Sequence, residues 1–159
     1  MDRNRGFTLP EMLTVIMIIG ILAAFAFPAM TKFLATQAVR SASYDLFADL
    51  IYARSEAIAR GAPVKVEGVS TTDYKQGWVI KMDPAGPVLR EQSKRDSAIQ
   101  FTSSSNAFVF DRSGRVISNN PLYFNIIPAS NITNPQDYMK RCIRLDPSGR
   151  PKSAEGACA

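Results

Sequence analysis

The chain has 159 residues, with 19 Lys and Arg against 14 Asp and Glu and not one histidine. That length suits one head domain plus a long helix. The missing histidine excludes His-based triads, imidazole metal sites and His acid–base chemistry. A net charge of +5 permits anionic partners such as nucleic acid or lipid headgroups, but a surplus of this size also serves plain solubility.

From Met12 to Thr31 the chain carries no charge, with Arg3 and Arg5 before it and Lys32 after it. This is about the length that spans a hydrocarbon core. A secretory signal would have a shorter apolar region and a small-residue cleavage site. Here the run flows straight into a patterned helix, so residues 7–34 read as a retained transmembrane segment with a cytoplasmic N-terminus. Glu11 stands at its start, where an unpaired carboxylate in lipid costs several kcal/mol, on the order of the ~3 kcal/mol of insertion scales. Its obvious partner is an α-amino group made by cleavage nearby.

Gly6-Phe7-Thr8-Leu9-Pro10-Glu11 resembles the processing site of type IV prepilins. The resemblance implies that residues 1–6 are a leader. A prepilin peptidase would cut between Gly6 and Phe7 and methylate the new amine of Phe7. Glu11 would then recruit the subunit into a filament by pairing with the terminal amine of a neighbour. Pro10 departs from the usual aliphatic residue, but in a first helical turn its missing N–H costs little. Pro28 sits where pilins commonly carry a helix-kinking proline; a static kink and one that acts in assembly are both open.

Residues 35–61 read as an amphipathic helix. Val39, Ser43, Leu46, Leu50, Ala53 and Ala57 recur at spacings of four and three, with Phe47 and Ile51 widening the stripe. Arg40, Asp45, Asp49, Arg54 and Glu56 are expected mostly off that stripe, and the Asp45/Asp49 pair is expected to be solvated, as is Asp137/Asp146. Gly61 and Pro63 stop the helix. Residues 62–159 read as a β-rich head that covers it. Strands are predicted at Val64–Val69, Trp78–Met82, Val88–Glu91, Ile99–Thr102, Phe108–Asp111, Arg115–Ile117, Leu122–Ile127 and Arg141–Asp146, separated by Gly-, Pro- and Asn-rich turns. Asn131–Met139 is predicted to be a loop. The fold class is therefore α+β: a long N-terminal helix, transmembrane in its first half, packed on a β-rich globular head, as in pilins.

Leu50–Ala57 followed by Arg60-Gly61, then Phe110–Arg115, then Cys142–Leu145 through Gly149-Arg150, resemble the GspH/FimT branch of minor pilins and pseudopilins. Cys142 and Cys158 form no CxxC pair, and a head outside the cytoplasm favours a disulfide between them. No nucleophile–base pair, phosphate loop or zinc motif is present, so neither an enzyme nor a cofactor is expected. Lys140, Arg141, Arg144, Arg150 and Lys152 form a C-terminal basic cluster. Gly149-Arg150-Pro151-Lys152 resembles the GRxR motif of DNA-binding competence pilins, with lysine replacing the second arginine and so losing its bidentate fork. On that resemblance Arg150 and Lys152, with Arg144, clamp phosphates from an exposed loop; otherwise the segment is a solvated turn. The expected function is a minor pilin that helps prime or assemble a type IV pilus, held in the bacterial inner membrane with its head in the periplasm. The expected partners are other pilins, the prepilin peptidase, inner-membrane lipid and, in a DNA-uptake alternative, double-stranded DNA. A minor pseudopilin of a type II secretion system is the further alternative.

Overall fold

The computed structural model describes residues 8–70, 74–94, 98–118, 121–129, 132 and 134–158, with only the backbone of Ala26 and Pro28. The chain divides into two compact units, residues 1–34 and 35–159. One helix, α1 (Leu9–Arg60), contributes to both. In the first unit it is apolar and exposed all round, with Ile16, Ile19, Leu22 and Phe25 each more than half exposed. No single helix among the described residues is long and apolar enough to cross a membrane. A bent pair, Leu9–Phe25 and Ala29–Arg60, passes that test together, and Pro28 lies at the break.

In the second unit α1 buries one face: Ala35, Val39, Ala42, Leu46, Leu50, Ala53 and Ala57. These positions recur at three- and four-residue spacing, and four of the seven are alanine. Gly61, at φ +59°, then ends it, with Ala62 N–H donating to Ala57 O and Gly61 N–H to Ile58 O. Those two bonds satisfy carbonyls that the helix terminus leaves open. Ile51, expected on the buried stripe, is 48% exposed. It lies past the edge of the arc the head can cover.

Among the described residues nine strands form two antiparallel sheets. The first has β1 (Val64–Gly68), β2 (Trp78–Met82), β3 (Val88–Gln92), β5 (Ala107–Phe110) and β6 (Val116–Ile117), in the order β3-β2-β1-β5-β6. The second orders β4 (Ile99–Ser103), β7 (Leu122–Pro128), β8 (Arg141–Leu145) and β9 (Pro151–Glu155) as β4-β7-β8-β9. The predicted strands are all present within a residue or two. β9 is an addition: the segment read as an exposed loop is an edge strand, with Pro151 at its first position, where a missing N–H is tolerated. In the segment expected to be a loop before β8, the described residues ahead of Asp137 are irregular, and Asp137–Met139 form a 3₁₀ turn. The exposed turn Asp83-Pro84-Ala85-Gly86-Pro87 joins β2 to β3, closed by Gly86 N–H to Met82 O at 3.0 Å.

The core between helix and sheets is aromatic. Trp78, Tyr74, Phe110 and Phe124 are almost fully buried, and the Tyr74 ring meets Phe124 edge-on at 5.1 Å between centroids. Burial pushes the Tyr74 phenol well above its ordinary pKa, and its hydroxyl donates to Asn106 O at 3.0 Å.

Asp49 corrects the surface reading. It is 2% exposed, on the buried stripe three residues after Leu46 and four before Ala53. Its carboxylate accepts from Trp78 Nε1 at 2.9 Å and from Arg90 Nη1 at 2.7 Å. Arg90 in turn lies 4.0 Å above the Tyr52 ring, and its hydrogen bond to Asp49 holds its pKa above the ordinary value. A buried carboxylate is sustained only by such partners. They also fasten β2 and β3 to the helix.

Two turns with one sequence pattern close the hairpins β5–β6 and β8–β9: Asp111-Arg112-Ser113-Gly114-Arg115 and Asp146-Pro147-Ser148-Gly149-Arg150. In each, the aspartate Oδ1 accepts from the serine hydroxyl at 2.6 Å and from the arginine backbone N–H at 3.0 Å. In each, the glycine N–H donates to the aspartate carbonyl at 2.8 Å. Both glycines have positive φ, +75° and +77°. The turns pack on one another: a Cβ on Gly149 would stand 2.0 Å from Gly114 O. Val116 N–H also reaches Pro147 O at 3.4 Å, and Arg54 Nε donates to Gly114 O at 3.1 Å, so helix and both sheets meet here.

Candidate functional site: the N-terminal segment and the C-terminal hairpin

Gly6 and Phe7 lie outside the described residues. The first described residue, Thr8, precedes helix α1, and its backbone N–H donates to Glu11 Oε2 at 3.5 Å. Thr8-Leu9-Pro10-Glu11 has the T-x-x-E spacing of a capping box, so Glu11 reaches back to a donor that the helix start leaves open. The four-residue spelling could have revealed this from sequence. Glu11 is exposed, and the hydrogen bond of this cap is a long one. Pro10 sits in the first turn, as its chemistry allows, and its carbonyl accepts from Thr14 Oγ1 at 2.9 Å.

At the other end of the chain, Cys142 and Cys158 form a disulfide, with 5.1 Å between Cα atoms. It ties the residues after β9 back onto β8. Strand alternation sorts the basic cluster. Arg141 is opposite Glu155 and bridges it at 2.9 Å, while Lys140 meets Asp137 at 3.1 Å. Arg144 and Lys152 are cross-strand partners, and Tyr123 on β7 is the next residue in the same transverse row. All three are exposed on the outer face of the second sheet. Arg150 closes the turn through its backbone and leaves its side chain exposed. Sequence reasoning grouped Arg150 with Lys152 on a loop; the register instead pairs Lys152 with Arg144.

An acid sits among these cations. Asp146 Oδ2 is 3.9 Å from Lys152 Nζ. The Ser148 hydroxyl and then the Arg150 N–H hold the Asp146 carboxyl below the usual range. The outer face thus presents cations beside a fixed carboxylate and an aromatic ring. Among the described residues no group of His, Cys, Asp and Glu is arranged to hold a metal ion.

A family model described as type II transport protein GspH matches residues 42–149, and one for the prokaryotic N-terminal methylation motif matches residues 1–27. The fimbrial protein EcpB of Eikenella corrodens is 31% identical over 124 residues, covering 77% of this chain and 74% of the relative. Solved structures share the fold. The type IV minor pilin FimU of Pseudomonas aeruginosa aligns with a TM-score of 0.62 and 21% identity, over 73% of this chain and 87% of that one. The minor pseudopilin EpsH of the Vibrio cholerae type 2 secretion system aligns at 0.57 and 13%, over 74% and 96%. A methylation motif joined to a helix-and-sheet head of this family leaves one assignment: the chain belongs to the GspH family, the GspH/FimT branch of type IV prepilin-like proteins.

Proposed function

We propose that this chain is a minor pilin of a type IV pilus that acts in priming or assembling the filament. The observation that carries the reading is the GspH-family head over residues 42–149 joined to a methylation motif over residues 1–27. The likeness to a fimbrial protein and to minor pilin FimU supports it. In this reading a prepilin peptidase removes residues 1–6 and methylates Phe7. Residues 7–34 hold the subunit in inner-membrane lipid, residues 35–61 form the amphipathic helix, and the head 62–159 stands in the periplasm. Glu11 exchanges its capping contact for the amine of a neighbouring pilin, and Pro28 marks where the helix bends.

The test is deletion of the gene with complementation by wild type or Glu11→Ala. Deletion is expected to lower the yield of sheared filaments. Glu11→Ala is expected to be processed to a chain beginning at Phe7, seen by intact mass, yet to be depleted from filaments. Normal filaments with a lost secretion phenotype would replace the pilus by a secretion pseudopilus.

One observation favours a second role as a DNA receptor: Arg144 and Lys152 lie side by side on an exposed sheet face, with Arg150 at the turn. Phosphate contacts of this kind give weak, sequence-tolerant binding that falls steeply with salt. The detergent-solubilised chain should then shift double-stranded DNA at low salt. Replacing Arg144, Arg150 and Lys152 by alanine should abolish the shift. Replacing Lys65 and Lys81, which bridge Glu67 on the other sheet, should not. No shift at low salt removes this role and leaves the pilin reading intact.

A further inference from the structure

The second sheet buries one face and leaves the other to water. Ile99, Phe101, Phe124, Ile126 and Ile143 are buried in the core. Strand alternation then places Gln100, Thr102, Tyr123, Arg144 and Lys152 on the outer face, and all five are exposed. Register sets Tyr123, Arg144 and Lys152 in one transverse row. The ring and the far cation therefore stand two strand steps apart, about 10 Å. Ser104 grips the start of the row: its N–H donates to Tyr123 O at 3.0 Å, and its hydroxyl accepts from Tyr123 N–H at 3.0 Å. Beside the two cations lies a hollow of about 360 Å³, lined by Cys142, Arg144, Lys152, Ala154, Glu155 and Ala157. That volume falls within the roughly 300–1,000 Å³ range of small-molecule sites. Ala157 is held there by its neighbour Cys158, which is bridged to Cys142.

We propose that this outer face is a platform for single-stranded DNA. One base stacks on Tyr123, the next phosphate lies over Arg144 and Lys152, and the hollow takes the nucleoside that follows. The inference rests on the DNA-receptor reading and names the form of DNA that the site prefers. The ring decides between the two forms. In a duplex the bases are stacked on one another, so Tyr123 has none to take. A duplex would offer only phosphates, to a patch in which Lys152 also stands 3.9 Å from Asp146. A single strand can turn an unstacked base onto an aromatic ring, and such stacking tolerates any sequence. A four-stranded sheet with an exposed ring among polar and cationic side chains suits unstacked bases. The outer face of the first sheet lacks this arrangement. There Lys65 and Lys81 both bridge Glu67, and their register neighbours are Val109 and Val88, not a ring.

The test is fluorescence anisotropy with the detergent-solubilised full chain at low salt. Three probes share length and label: a thymine single strand, its duplex with an adenine strand, and an abasic single strand with the same phosphates. The thymine strand is expected to bind roughly tenfold tighter than the other two. Tyr123→Ala is expected to weaken the thymine strand roughly tenfold and to leave the duplex and the abasic strand within about twofold. Tyr123→Phe keeps the ring and is expected to keep the affinity. Unchanged Trp78 fluorescence would show that the head stays folded. Duplex binding as tight as that of the thymine strand, or an equal loss on all three probes in Tyr123→Ala, overturns the proposal. If the duplex binds and Tyr123→Ala changes nothing, only this inference fails and the receptor reading stands. If the thymine strand binds and the duplex does not, the platform stands and the duplex receptor fails. If no probe binds, both fail.

Discussion

The turns at Asp111–Arg115 and Asp146–Arg150 spell the same D-x-S-G-R pattern and make the same hydrogen bonds, yet they stand in different surroundings. Gly114 faces the side chains of Ile58 and Arg54, whereas Gly149 faces the Gly114 carbonyl. The β8–β9 hairpin is also fastened by the Cys142–Cys158 bridge, and β5–β6 is not. Identical local chemistry therefore fixes identical turns, while tertiary packing decides how much each can yield.

The sharpest way to break this equivalence is substitution of the glycines. Gly149→Ala is expected to destabilise by about 3 kcal/mol or more, because a left-handed backbone strain is joined by a backbone clash that cannot relax. Its check is a thermal melt of the detergent-solubilised full chain, read by fluorescence of the single, buried Trp78. Removing the disulfide with Cys142→Ala and Cys158→Ala is expected to cost about 2–4 kcal/mol, and thiol labelling of the wild type should find both sulfurs protected until reductant is added. Gly114→Ala is expected to cost only about 1–2 kcal/mol, since the Ile58 side chain can move aside. Equal losses at the two glycines would show that their contacts do not matter.

Smaller effects should restore the symmetry. Both aspartates sit below the usual carboxylate range, held there first by hydrogen bonds from Ser113 and Ser148. A depressed folded-state pKa adds stability above the unfolded value, near pH ~3.9, that is lost as pH falls through the folded value. Acid should therefore lower the melting temperature. Asp111→Asn and Asp146→Asn should each flatten that acid limb by a similar, modest amount. Ser113→Ala and Ser148→Ala should shift it least, since the backbone donors remain. No histidine is present to add a transition near neutrality.

Much of the fold was legible because burial imposes a period. β1, β4 and β7 bury every second residue, and Val39, Leu46, Leu50, Ala53 and Ala57 keep helical spacing. β9 was missed because Pro-Lys-Ser-Ala-Glu lies at a sheet edge with both faces largely exposed, so no alternation is written into it. Asp49 was misread because composition makes a carboxylate a surface residue by default; its partners, Trp78 and Arg90, lie far away in sequence. Ile51 was placed inside for the mirror reason, an apolar residue on a face that the head does not reach. For the candidate site, the Glu11 spacing and the cysteine pair were readable. The Arg144–Lys152 adjacency required knowledge of a register that an unseen strand sets.

The mutual packing of the two D-x-S-G-R turns also limits how the molecule can be extended. A residue inserted in either would push one turn into the other and lift Arg54 from its carbonyl. The Asp83–Pro87 turn is different: Pro84 to Pro87 are exposed, and the turn's bonds run to its own neighbours and Pro63. Length variation and an engineered epitope tag belong there, between Ala85 and Gly86, which offers a handle for following the subunit with neither terminus altered.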